Sequence, residues 1–302
     1  QKESLFGPMD LTRGTCWKTI LIFSLPVILS YLLQQVYSIS DAAIVGQTLT
    51  AQEVAGVNDT SSLVFIFLQF AFGVSAGFCV VTSCQVGARN QAGVRRSLAT
   101  QIVLSAVLTV LLTALALALL NPMLAWINVT PDNAEVYRAA YTYCFIIFAG
   151  IGAQLFYNFI CAFLRSMGDS LTPLLFLLFS TVLNVGLDPL LIFGLNMGVA
   201  GAALATILSQ LASFCMLLLG CARGGNLRIR LKNVCFRRDL FLEIGKGGLP
   251  SLCRQGLASI ATICLNRSAG LYGDAAIAAM SVVSRAMMLA QSALIGFGQG
   301  FQ

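Results

Sequence analysis

Apolar runs of twenty or more residues recur along this chain, and no other feature limits its fold so strongly. In lipid the backbone must satisfy its own hydrogen bonds, which leaves only helices and closed barrels. Barrel strands are roughly ten residues long and alternate in polarity, whereas these runs are continuous, so the spans are helical. They are expected at 17–46, 54–85, 94–120, 136–163, 171–194, 199–221 and 239–270, with an eighth beginning near 275. At about 1.5 Å per residue each complete span can cross a hydrocarbon core of roughly 30 Å. Only 10% of residues are charged, against about 25% in an ordinary soluble domain. The first run is too long and starts too late for a cleaved signal peptide.

Charge alternates from one loop to the next. Arg13 and Lys18 flank the start of the first span, Arg89, Arg95 and Arg96 follow the second, Arg165 follows the fourth, and Arg223, Arg228, Arg230, Lys232, Arg237, Arg238 and Lys246 lie between the sixth and seventh. Residues 47–53, 121–135 and 194–198, which connect the opposite ends, carry no Lys or Arg. The positive-inside rule therefore puts the N-terminus, including Lys2, in the cytoplasm of a multi-pass plasma-membrane protein, the cell inner membrane in bacteria. The formal charge of +6 follows from this topology and implies no nucleic-acid partner. The basic stretch NLRIRLKNVCFRRDLFLEIGKGG is expected to touch anionic headgroups on the inner surface of the bilayer.

That stretch divides a repeat. Leu25-Pro26 matches Leu249-Pro250, Gly46 matches Gly270, Val54-Ala55 matches Ile277-Ala278 and Phe72-Gly73 matches Phe297-Gly298, at an offset near 224. Six spans separate the copies, so the second unit enters from the same side, as in parallel-repeat transporters. The expected fold is all-α and polytopic: a first six-helix bundle (1–222), a cytoplasmic basic connector (223–240), and the start of a second, parallel-repeat six-helix bundle (241–302). The chain ends at IGFGQGFQ within the eighth span, so a fragment is expected, of a whole with twelve helices and about 450 residues.

Several chemistries are excluded. The chain has no histidine, which removes His-based metal sites and His-dependent catalysis. No phosphate loop of the GxxxxGK[ST] type occurs, so no ATP hydrolysis is expected. The cysteines form no CxxC pair and read as small packing residues. Clustered acids of the DDxxD type, which an intramembrane lipid-modifying enzyme would need, are missing, and the chain is read as a non-enzyme with no cofactor.

What remains is a set of polar groups inside the spans, where an ionisable side chain costs roughly 2.5–3.5 kcal/mol on insertion scales. Asp188 lies six residues before Gly194 at the outer end of the fifth span, and Asp41 five before Gly46 at the outer end of the first. Both are about 8–9 Å inside and can meet. Asn184 is one turn deeper than Asp188 on the same face, and Thr206 and Tyr143 fall at similar depth. Such a pocket would hold either a shared proton or Na⁺ on the oxygens of Asp41, Asn184 and Asp188. Pro26, Pro189 and Pro250 each remove a backbone hydrogen bond and are candidate hinges. Gln34 can line a cleft or bond between helices, and Arg254 can meet a carboxylate, a substrate group or a helix end.

With these residues in view, LTRGTCWKTILIFSLPVILSYLLQQVYSISDAAIVG, LRSMGDSLTPLL, LNVGLDPLLIFGLNMGVAGAALAT and GLPSLCRQGLAS resemble the multidrug and toxic compound extrusion (MATE) family. The resemblance implies a secondary antiporter of two six-helix bundles that exports cationic or amphiphilic small molecules against an inward flow of H⁺ or Na⁺, here expected to act as a monomer when full length. It also implies a cation site in the first bundle on Asp41, Asn184, Asp188, Thr206 and Tyr143, with Asn158 as a further cavity residue. A glutamate that some relatives carry after the seventh-span proline has no counterpart between Pro250 and Asp274. A flippase for lipid-linked saccharides, from the same fold superfamily, is the alternative, and a large basic cavity would mark it.

Overall fold

The computed structural model describes residues 8–127, 129–223 and 237–302, and every regular element in them is helical. Lys2 and the connector residues Arg228, Arg230 and Lys232 lie outside the described residues. In chain order the helices are α1 (Cys16–Thr48), α2 (Ala51–Gly87), α3 (Gln91–Ala118), α4 (Leu120–Trp126), α5 (Ala134–Ala149), α6 (Ile151–Ser166), α7 (Leu171–Pro189), α8 (Val199–Arg223), α9 (Arg238–Gly270) and α10 (Asp274–Phe301). A π-helical turn, Leu190–Gly194, continues α7.

Local chemistry sets several starts. Thr50 opens α2 with a capping box: its backbone N–H donates to Glu53 Oε2 at 3.0 Å while its hydroxyl accepts from the Glu53 N–H. Such reciprocal bonds satisfy two donors that a helix start leaves orphaned. Asn90 accepts from the Gly93 N–H to open α3, and Asp169 accepts from the Thr172 N–H at 3.0 Å and its hydroxyl at 2.6 Å to open α7. Gly168, at φ +87°, supplies the left-handed turn before it, where the Met9 carbonyl leaves no room for a Cβ.

Two expectations about the spans need correcting. The fourth span is not one straight helix: α5 and α6 meet at Gly150 with a 45° bend. Glycine lowers the cost of such a break, and the packing fixes it, because a Cβ on Gly150 would run into Ile207 of α8 and one on Gly152 into Thr109 of α3. The outer loop 121–135 is also not wholly irregular, since α4 occupies its first part with Leu120 and Leu124 fully buried. Among the described residues, five helices and the bent pair are long and apolar enough to span a membrane. α9 and α10 are continuous over 33 and 28 residues but fall outside that apolar set, as their glycines, serines, Arg254 and Arg285 explain.

The apolar pattern is that of a lipid-facing protein. Val110, Val182 and Leu219 are exposed, while the interior between helices holds Gln101, Asn184, Asp188 and many hydroxyls. Gln101 of α3 donates to the Phe78 carbonyl at 2.6 Å and to Thr82 Oγ1 at 2.8 Å, and Thr82 pairs with Ser97. This network fastens α2 to α3 without any ion pair. The aromatic core nearer the opposite end is built on Phe148, which tilts against Phe67 at 4.9 Å.

The repeat appears directly in the packing. α10 lies along α1 and α9 lies along α2, the exchange of partners expected of a two-fold relation. The contacts depend on missing side chains. A Cβ on Gly77 would overlap the Gly248 backbone, and one on Gly300 would overlap Ser24. At the repeat offset Gly248 corresponds to Ser24, so the two close approaches use the same position of α9 and α1. Pro26 and Pro250 sit inside unbroken helices. The segment before α1 is tied down by the Met9 N–H donating to the Gly168 carbonyl at 3.1 Å and by Asp10 against Arg13 and Arg89. A hydrogen bond from the Thr12 side chain, followed by that from its backbone, draws the Asp10 carboxyl below its ordinary range. Gly77→Val should force α2 from α9 and lower stability by about 1–3 kcal/mol, the usual cost of overpacking; thermal unfolding of the purified protein measures it.

Candidate cation site

Four helices converge on the polar residues of the outer half. α7 packs on both α1 and α8, and α5 packs on α8. The start of α8 is VAGAALAT, and its small residues permit a tight approach: a Cβ at Gly201 would lie 2.9 Å from the Leu191 backbone carbon. The Met197 N–H donates to the Leu191 carbonyl at 3.1 Å and closes the turn between them. Pro189 ends the α-helical geometry, and the π turn after it carries the chain round.

Asn184 and Asp188 are both 0% exposed on α7. The carboxyl groups of Asp188 and of Asp41 on α1 come within hydrogen-bonding reach of each other. Neither carboxyl finds a protein donor: both oxygens of Asp188, one of Asp41 and both amide atoms of Asn184 are buried without a partner. Two facing carboxylates have only acceptors to offer, so a shared proton or a cation would relieve their repulsion. The oxygens of Asp41, Asp188 and Asn184 form a hard donor set that fits either.

The other expected members are close by. Tyr143 on α5 is within electrostatic reach of both aspartates. Thr206 on α8 donates to its own Ala202 carbonyl at 3.3 Å. Tyr37, which the sequence reading did not select, belongs to the same group. It is one turn before Asp41 on the same face of α1 and points at Thr206 and Ser209 and toward both aspartates. Its hydroxyl closes no hydrogen bond of ordinary geometry. The four-residue spacing from Asp41 was the available signal.

Gln34 and Asn158 do meet, but at a different place. They line a separate cavity of about 20 Å³ with Tyr31, Tyr157, Arg165 and Leu177, deeper in the bundle. Asn158 is therefore not a member of the carboxylate pocket. Arg254 is exposed on α9 and lines neither cavity, although it lies within electrostatic reach of Tyr31 on α1.

Comparison with known proteins follows this geometry. The family model MatE matches residues 26–190, more than half of the chain. The chain belongs to the MatE family, the multidrug and toxic compound extrusion proteins. It is 27% identical to the probable multidrug resistance protein YoeA of Bacillus subtilis over 95% of its own length and 63% of that protein's. Against the probable multidrug resistance protein YpnP of the same organism it is 35% identical over 68% of this chain and 45% of YpnP. The structure described as the outward-facing conformation of a multidrug resistance MATE family transporter superposes with a TM-score of 0.87 at 26% identity, over 96% of this chain and 64% of that one. The chain thus spans less than two thirds of the length of these relatives.

An amide retained only to glue helices would be missed if removed, whereas one held unpartnered for a ligand is a burden on the fold. Asn184→Leu, which removes both unpartnered atoms, should raise the melting temperature of the purified protein by a few degrees. A fall in melting temperature would assign Asn184 to helix packing.

Proposed function

We propose that this chain is the larger part of a secondary antiporter of the plasma membrane that exports cationic or amphiphilic small molecules in exchange for H⁺ or Na⁺. The observation that carries this reading is the pair of carboxyl groups, half-buried Asp41 on α1 and buried Asp188 on α7, facing each other with no protein donor. A fold that needed only stability would replace such a pair by apolar side chains at little cost. The names of YoeA and YpnP, which describe multidrug resistance proteins, agree with export of small molecules. No ligand other than the coupling ion is required, and no catalytic group is invoked.

In the proposed cycle the N-terminus is cytoplasmic, residues 1–222 form the ion-coupled bundle, 223–240 the basic connector, and 241–302 begin the second bundle. A proton or Na⁺ entering from outside relieves the repulsion between Asp41 and Asp188, with Asn184, Thr206, Tyr143 and Tyr37 holding the site in place. The altered fit between α1 and α7 bends α1 near Pro26, with Pro189 and Pro250 as further points of bending, and the substrate is released outward. Loss of the ion to the inside resets the carrier. The ion gradient supplies the work, and the differential hold on substrate in the two states sets the coupling.

In vesicles carrying the full-length protein, with an imposed pH or Na⁺ gradient, Asp188→Asn should reduce gradient-driven efflux of a cationic dye at least 10-fold. Asp41→Asn should do the same. Efflux at the wild-type rate in Asp188→Asn would overturn the proposal.

A further inference from the structure

We infer that the interior of the first bundle carries a proton path from the Asp41–Asp188 pair to the cytoplasmic side, running between α7 and α8, through the Gln34–Asn158 cavity and past Arg165. This rests on the function proposed above and specifies how its ion leaves.

The path is traced by unpartnered polar atoms. α7 and α8 are antiparallel neighbours joined by the turn at residues 195–198. Counted from that turn, Asp188 and Thr206 are about seven residues away, Asn184 and Gln210 about eleven, and Ser180 and Ser213 about fifteen. Three polar rungs therefore lie at matched depths and extend about 12 Å inward from the carboxylates. Ser180, Asn184, Asp188 and Ser213 are 0% exposed, Gln210 is 5% exposed, and each has at least one polar atom with no protein partner.

Other hydroxyls of these two helices behave differently. Thr181, Thr206 and Ser209 donate to carbonyls three or four residues back, the ordinary way for a buried helical hydroxyl to satisfy itself. Ser180 and Ser213 do not. Buried polar groups left over by the protein are normally met by ordered water, and a file of such waters conducts protons by exchange along its hydrogen bonds.

Leu177, one turn inward from Ser180, lines the cavity that holds Gln34, Asn158 and Tyr157. Its volume of about 20 Å³ suits a single water. The Tyr157 hydroxyl, on a residue 2% exposed, is again unpartnered. Arg165 borders this cavity and also the larger inner one, of about 560 Å³, that Asp10, Ser83 and Arg89 help line. Its guanidinium faces Tyr31, Tyr157 and Cys79, and among the described residues no carboxylate pairs with it. A constriction of about 20 Å³ that holds one water has no room for a hydrated Na⁺, while a proton passes by exchange along hydrogen bonds. The ion released inward by this route is therefore a proton.

Hydrogen–deuterium exchange of the carboxyl C=O band, followed by infrared spectroscopy on the purified full-length protein after a switch to D₂O, tests the path. The band is assigned by its loss in Asp188→Asn. Gln210→Met, and separately Ser180→Ala with Ser213→Ala, should slow exchange at least 10-fold. Addition of NaCl should leave the band unchanged, and Tyr157→Phe, which removes the hydroxyl beside the one-water cavity, should slow exchange several-fold, an independent readout should either file variant fail to fold. Exchange as fast as wild type in both file variants would overturn the path and leave the site intact. A band that Na⁺ abolishes in the wild type would overturn the assignment of the released ion as a proton. The absence of any band lost in Asp188→Asn would overturn the carboxylate site itself, and the path with it.

Discussion

Two carboxyl groups pressed together between α1 and α7, with no donor from the protein, are the constraint around which the first bundle is arranged. Everything near them accommodates that contact. The glycine and alanines that open α8 bring Thr206 up to α7, and the break at Pro189 lets the chain turn back above Asp188. The phenols of Tyr37 and Tyr143 close the sides without quenching the carboxyls. A site finished with its own hydrogen bonds would be stable and inert, whereas one left incomplete depends on whichever ion reaches it. Binding energy that the fold does not supply is then available to shift the helices.

The seam between the two repeats is organised differently. It has backbone contact at Gly77 and Gly248 and at Gly300 and Ser24, with Met9, Phe72 and Ile295 packed around Phe23, Val27 and Tyr31. Apolar and small groups dominate this seam, whereas the paired carboxyl groups lie within the first bundle. The bend at Gly150 belongs to the same division of labour. It lets α5 serve the outer, ion-binding level while α6 carries Asn158 and Arg165 at the inner level, so one span contributes to two distinct sites.

Much of this was legible in the residues. Hydropathy located the spans of the first six-helix bundle, with ends displaced by no more than three residues, because lipid penalises polar backbone so heavily that long apolar runs have few alternatives. Depth counting along α1 and α7 brought Asp41 and Asp188 together before any coordinates, since helical rise is nearly constant. What stayed hidden depends on tertiary packing. Gly150 is one of 27 glycines, and only Ile207 and Thr109 pressing on the backbone distinguish it from those in straight helices. Arg165 looked like a loop charge of topological origin because a side chain's direction off a helix end is not encoded in spacing. Arg254 falls inside a span by its position in the chain, yet its side chain is exposed on α9.

The contact at Gly77 and Gly248 has a bearing on how the halves part. Where helices interlock through long side chains, separation requires each chain to find a new rotamer and a new neighbour. Here two bare stretches of backbone meet, and at this crossing no side chain has to find a new rotamer when they come apart or return. The crossing can behave as a smooth bearing, with a resting position fixed by shape.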